Sequence, residues 1–113
     1  MSFKNGLAIS YAKLGETHTA LGQLDRARAF FEDETQLFEQ LYEAYPNNVE
    51  FKNNLAISYV KLASFYLDND MLKAKDYLET AEKHFVGLHH ISPQNAQFKQ
   101  YLDIVQQVLE QLK

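Results

Sequence analysis

Residues 3–14 read FKNGLAISYAKL and residues 51–62 read FKNNLAISYVKL, so ten of twelve positions agree across a spacing of 48. A third copy opens at Phe98-Lys99, 47 residues beyond Phe51-Lys52, and keeps Leu102, Ile104 and Leu109. Self-similarity at one period marks an array of stacked units, none of which buries its apolar face alone. An array of this kind points to binding rather than to chemistry.

Punctuation along the chain follows the same period. The only two prolines, Pro46 and Pro93, stand 47 residues apart at equivalent places. Each is expected to end a helix, because proline lacks an amide donor and clashes with the preceding turn. Breaks inside the units fall at Leu21-Gly22-Gln23 and Asp68-Asn69-Asp70. Five helices are therefore expected, over about 3–21, 24–45, 48–67, 71–91 and 95–112. Leu7, Tyr11, Leu14, His18 and Leu21 recur at helical spacing, as do Leu55, Tyr59, Leu62 and Tyr66. In the second helix Ala27, Phe31, Phe38, Leu41 and Tyr45 form a stripe, matched by Ala74, Leu78, Ala81, Phe85 and Leu88 in the fourth. Asn47 with Glu50 reads as a capping box opening helix three, and Asp70 as the cap of helix four. Short connections make neighbouring helices antiparallel. The expected organisation is a single domain over 1–113, with one unit at 3–46, a second at 48–93 and a closing helix at 95–112.

Composition narrows the function classes. The 113 residues carry a net charge of −4, with 46% hydrophobic and 23% charged residues. These values suit a globular domain and offer no basic stripe for nucleic acid or anionic lipid. No apolar run is long enough to span a bilayer, and the first residues lack the apolar core of a secretion signal. Cysteine is absent, which removes disulfides, thiolate metal sites and thiol nucleophiles, and fits a cytoplasmic protein.

The units resemble tetratricopeptide repeats. The family pattern is a large residue, then Leu-Gly, then an aromatic in the first helix, followed by Ala-x3-Phe and a closing Pro. The first unit supplies Tyr11-x2-Leu14-Gly15-x2-His18, Ala27-x3-Phe31 and Pro46; the second supplies Tyr59-x2-Leu62-Ala63-x2-Tyr66, Ala74-x3-Leu78 and Pro93. Gly15, Ala63, Ala27 and Ala74 would permit close helix approach. The resemblance implies an all-α, right-handed helical solenoid of antiparallel helix pairs. The period departs from the family, whose unit is about 34 residues. The added length reads as about a heptad in each helix, nearly two whole turns, which keeps the same face inward with a drift of roughly 20°. A HEAT- or armadillo-like array, at about 40–47 residues, fits the period better and the motifs worse.

In the family the first helix of each unit lines a concave groove, so the resemblance implies a non-catalytic module that holds a peptide or protein segment there. On the face opposite the core stripe, helix one carries Asn5, Ile9, Ala12, Lys13, Glu16 and Thr19. Helix three carries Asn53, Ile57, Val60, Lys61 and Ser64, and helix five Gln100, Ile104 and Gln107. Stacked, Ile9, Ile57 and Ile104 would form a ladder flanked by the amides of Asn5, Asn53 and Gln100, suited to an extended or helical peptide. The plainer alternative is that the isoleucines pack units together. Family members that grip carboxylate tails use a basic clamp; here Lys13 and Lys61 are accompanied by Glu16, which disfavours an acidic tail.

Other clusters read as structural. Glu32-Asp33-Glu34 is expected on the solvated side of helix two, with Glu39 and Glu43 further along. Asp68-Asn69-Asp70 reads as a turn and cap, without the glycine and distal Glu of a calcium loop. His84, His89 and His90 lie in the last turns of helix four, where imidazolium would meet the negative helix end. None has the i,i+4 partner of a zinc site, and His18 takes the family's aromatic place. No phosphate loop, nucleophile elbow or HExxH motif occurs, and Ser10 and Ser58 sit mid-helix without an adjacent base. No enzyme activity, metal or cofactor is expected. The chain opens directly on a repeat whose first unit looks like an interior one. That suggests part of a longer array, or self-association through an exposed N-terminal hairpin. The rival function is a structural spacer or oligomerisation element.

Overall fold

The computed structural model describes residues 2–112, and the side chains from residue 3. Among them are five α-helices and no strands: α1 (Ser2–Ala20), α2 (Leu24–Ala44), α3 (Val49–Tyr66), α4 (Met71–Ile91) and α5 (Ala96–Gln111). Gly22 closes the first connection with φ +76°, a left-handed conformation that glycine adopts without a Cβ penalty. The Asp70 carboxylate accepts from the Lys73 amide and caps α4, as its position suggested. Helix α3 differs from expectation by one residue. Asn48, rather than Asn47, is the cap, and its side-chain oxygen accepts from the Phe51 amide at 3.0 Å. Asn95 does the same for α5, accepting from Gln97 and Phe98. The two Pro-containing turns are thus followed by the same device, an asparagine that satisfies first-turn amides.

Helices pack in chain order: α1 on α2, α2 on α3, α3 on α4 and α4 on α5. The molecule measures 39 × 37 × 21 Å, a slab two helices thick. Its main core joins Phe38 and Leu41 of α2 to Phe51, Leu55, Tyr59 and Tyr66 of α3. Leu78, Phe85 and Leu88 of α4 and Phe98, Leu102 and Val105 of α5 complete it. A smaller cluster of Ala27, Phe31 and Leu62 lies nearer α1. The small residues stand where helices come close: Ala27, Ala74 and Ala81 are fully buried. At Gly15, an added Cβ would lie 2.8 Å from the Phe31 ring.

Three expectations are corrected. Leu14 and Leu21, assigned to the core stripe, are 43% and 64% exposed, because no helix covers that side of α1 among the described residues. Glu34, assigned to the solvated face, is buried, because α2 is covered by α1 on one side and α3 on the other. His84, assigned to the helix end as a cation, instead packs between aromatic rings, edge-on to Tyr42 at 5.3 Å and stacked on Tyr59 at 6.2 Å. Burial, with Lys52 adding to it, pushes its imidazole below the usual value.

Candidate functional site

The proposed recognition strip depends on which way α1 and α3 are turned. Tyr59 is buried and Tyr11 half-buried, whereas Ile9 is 44% exposed. Ile104 on α5 is similarly open at 45%, and Ile57 is half-buried and packs against the main core. Lys13, Glu16, Ser64, Gln100 and Gln107 are exposed; Val60 and Lys61 are half-buried. Asn5 and Asn53 occupy equivalent places and are half-buried alike. In each, Oδ1 is covered and makes no hydrogen bond among the described residues, so neither offers that oxygen to solvent.

Glu16, Lys61 and Ser64 are brought together. With Thr19, Phe31 and Phe65 they line an open cleft of about 300 Å³ between α1 and α3. Phe31 rises from α2 beneath it, its ring 5.6 Å from that of Phe65. Lys61 crosses the Phe31 ring, with Nζ 5.3 Å from the centroid, a cation–π geometry. The same ammonium lies 3.8 Å from the Glu34 carboxylate, which is only 5% exposed. Burial pushes the Glu34 carboxyl above its ordinary value; Lys61 pulls it back, and nearby Glu16 pushes it up. A smaller cleft of about 200 Å³ lies on α5, lined by Gln97, Gln100, Tyr101 and Ile104. Gln107 does not join it.

Sequence reasoning missed Phe31, Phe65 and Glu34 as contributors. Phe31 was assigned to the core and Glu34 to solvent, because helical spacing gives the face of a residue but not how far the neighbouring helix leaves it uncovered. One signal was available: Glu34 falls three residues after Phe31, on the same side of α2.

The acidic residues of α2 have a further role. Tyr66 donates to Glu32 at 2.7 Å and Tyr59 donates to Glu39 at 2.9 Å. With Lys61–Glu34, three polar groups of α3 thus end on carboxylates of α2. Burial is the main cause that pushes the Tyr59 phenol well up, and the Glu39 hydrogen bond adds to it.

Among the described residues no group of three His, Asp or Glu side chains is placed to hold a metal ion. No described helix is long and apolar enough to cross a membrane. Compared with known proteins, the chain matches no family model, no curated protein and no solved structure.

Proposed function

We propose that this protein is a non-catalytic interaction module, a lengthened tetratricopeptide-like array whose five helices wind as a right-handed solenoid. It holds a segment of a protein partner along α1 and α3. The observation that carries this reading is the cleft over Phe31 and Phe65, an aromatic floor with a polar rim of Glu16, Thr19, Lys61 and Ser64. Aromatic floors with few polar groups take one bulky apolar side chain and orient it. Exposed Ile9 on α1 extends the apolar surface. The balanced charges of Lys61 and Glu16 favour a neutral or mixed-charge segment over an acidic tail. Neither nucleic acid nor a membrane is the partner in this reading, and no cofactor takes part. A cytoplasmic setting accords with the absence of cysteine.

The test is selection from a displayed random-peptide library. Enriched peptides should share an apolar anchor residue. Ser64→Trp, which fills the cleft from an exposed position, should abolish their binding, and Leu14→Asp on another side of α1 should not. Absence of enrichment, or binding indifferent to Ser64→Trp, would favour the spacer reading.

A further inference from the structure

The clearest asymmetry in the molecule lies outside the cleft. On α1 and the first residue of the turn after it, Phe3, Leu7, Ser10, Leu14, Thr17 and Leu21 are spaced alternately by four and three residues, the spacing of a helix–helix seam. Their exposures include 79% for Phe3, 43% for Leu14 and 64% for Leu21. The two polar members do not interrupt the strip. The Ser10 hydroxyl donates to the Gly6 carbonyl at 3.1 Å, and that of Thr17 to the Lys13 carbonyl at 3.0 Å. Both can be covered without stranding a donor. Buried Ser58, the counterpart of Ser10 in α3, satisfies itself in the same manner on Leu55 at 2.7 Å.

What fits this strip can be read from α3, where nearly the same sequence is covered. There Phe51 lies against Tyr45, Leu62 against Phe31 and Ala27, and Phe65 against Phe31, all supplied by α2 or the turn after it. Polar groups match as well: Lys61 meets Glu34 and Tyr59 donates to Glu39. Their α1 counterparts, Lys13 and Tyr11, form no ion pair or side-chain hydrogen bond among the described residues. Lys13 is exposed beside the strip. We propose that the Phe3–Leu21 strip of α1 docks an amphipathic helix of a partner protein built on the α2 pattern. Two aromatic anchors two heptads apart, as in Phe31 and Tyr45, would cover Leu14 and Phe3. Carboxylates between them, as in Glu34 and Glu39, would meet Lys13 and Tyr11. This surface lies roughly 100° around α1 from Ile9, so the inference does not rest on the cleft binding a peptide.

A fusion supplies the test. Residues 24–50, which lead directly into Phe51, are duplicated ahead of Phe3 of the full chain, so that a second α2 meets α1 through the native turn. Tethering removes the affinity that a free peptide would need. The added helix should resist proteolysis about tenfold longer than a control in which its copies carry Phe31→Ala and Tyr45→Ala. The urea midpoint and slope should both rise, since the slope follows the surface buried. Leu14→Asp should remove these gains while leaving the unfused chain folded. Cleavage of the added helix as fast as the control, with an unchanged midpoint, would overturn the proposal. So would light scattering in which the unfused chain dimerises and Leu14→Asp restores the monomer, because a second copy would then be the occupant.

Discussion

Leu14 and Leu62 hold the same place in two nearly identical helices, yet Leu14 is 43% exposed and Leu62 only 1%. The difference lies in what stands across from them. Leu62 closes on Ala27 and Phe31 of α2, whereas no described residue covers the corresponding side of α1. One sequence motif therefore contributes to the core in one setting and to the surface in the other.

From this relationship, Leu62→Ala should cost about 2–5 kcal/mol, the transfer term plus a residual cavity. Leu14→Ala should stay within about 0.5 kcal/mol, as an open surface site does. Urea denaturation of the two variants side by side measures both. Similar losses would mean that Leu14 is covered in solution.

Glycine exchanges in α1 should have opposite signs. Gly6 is exposed with nothing within 4 Å of an added Cβ, so Gly6→Ala should gain up to about 1 kcal/mol of helix stability. At Gly15 the same methyl meets the Phe31 ring at 2.8 Å. That ring is held against Leu62 and Phe65, so its displacement should make Gly15→Ala a net loss of about 1–3 kcal/mol. Thermal unfolding of both variants distinguishes the cases.

Glu34 should weaken the fold as pH rises. Its carboxyl is pushed above the ordinary value by burial, so the folded chain keeps a proton that the unfolded chain has released. That contribution is fully present below the unfolded value near 4.5 and is lost as pH climbs through the folded value. Glu34→Gln, a permanent neutral mimic, should match the parent in stability near pH 4 and exceed it at pH 8. Half-open Lys61 can rehydrate when its partner is neutral. Denaturation midpoints across this range check the crossing, and a variant less stable at pH 8 would mean that the ion pair outweighs burial.

His84 should act at the other end. Its imidazole is held below the ordinary 6.5 by burial between Tyr42 and Tyr59, with Lys52 reinforcing the shift. Below 6.5 the unfolded chain takes up a proton that the folded chain refuses, so stability falls with pH through this window. His84→Phe keeps the ring stack and removes the titration. Its midpoint should be flatter than the parent's between pH 7 and 5.

Much of the fold was legible because it depends on local pattern. Repetition, two prolines and helical spacing gave five helices whose ends fall within a few residues of those observed. The capping role of Asp70 was local too. The cleft was only partly legible: helical spacing puts Glu16, Thr19, Lys61 and Ser64 on one strip, but not the Phe31 floor.

The sequence by itself determined the periodic alternation of apolar and polar faces and where each helix stops, since both follow from backbone sterics and spacing within a few turns. Tertiary structure alone decided which of two equal faces is covered. Leu14 and Leu62, Phe3 and Phe51, and Lys13 and Lys61 are chemically the same residues. Their burial and partners differ because exclusion of water depends on what packs opposite a residue, not on its own sequence.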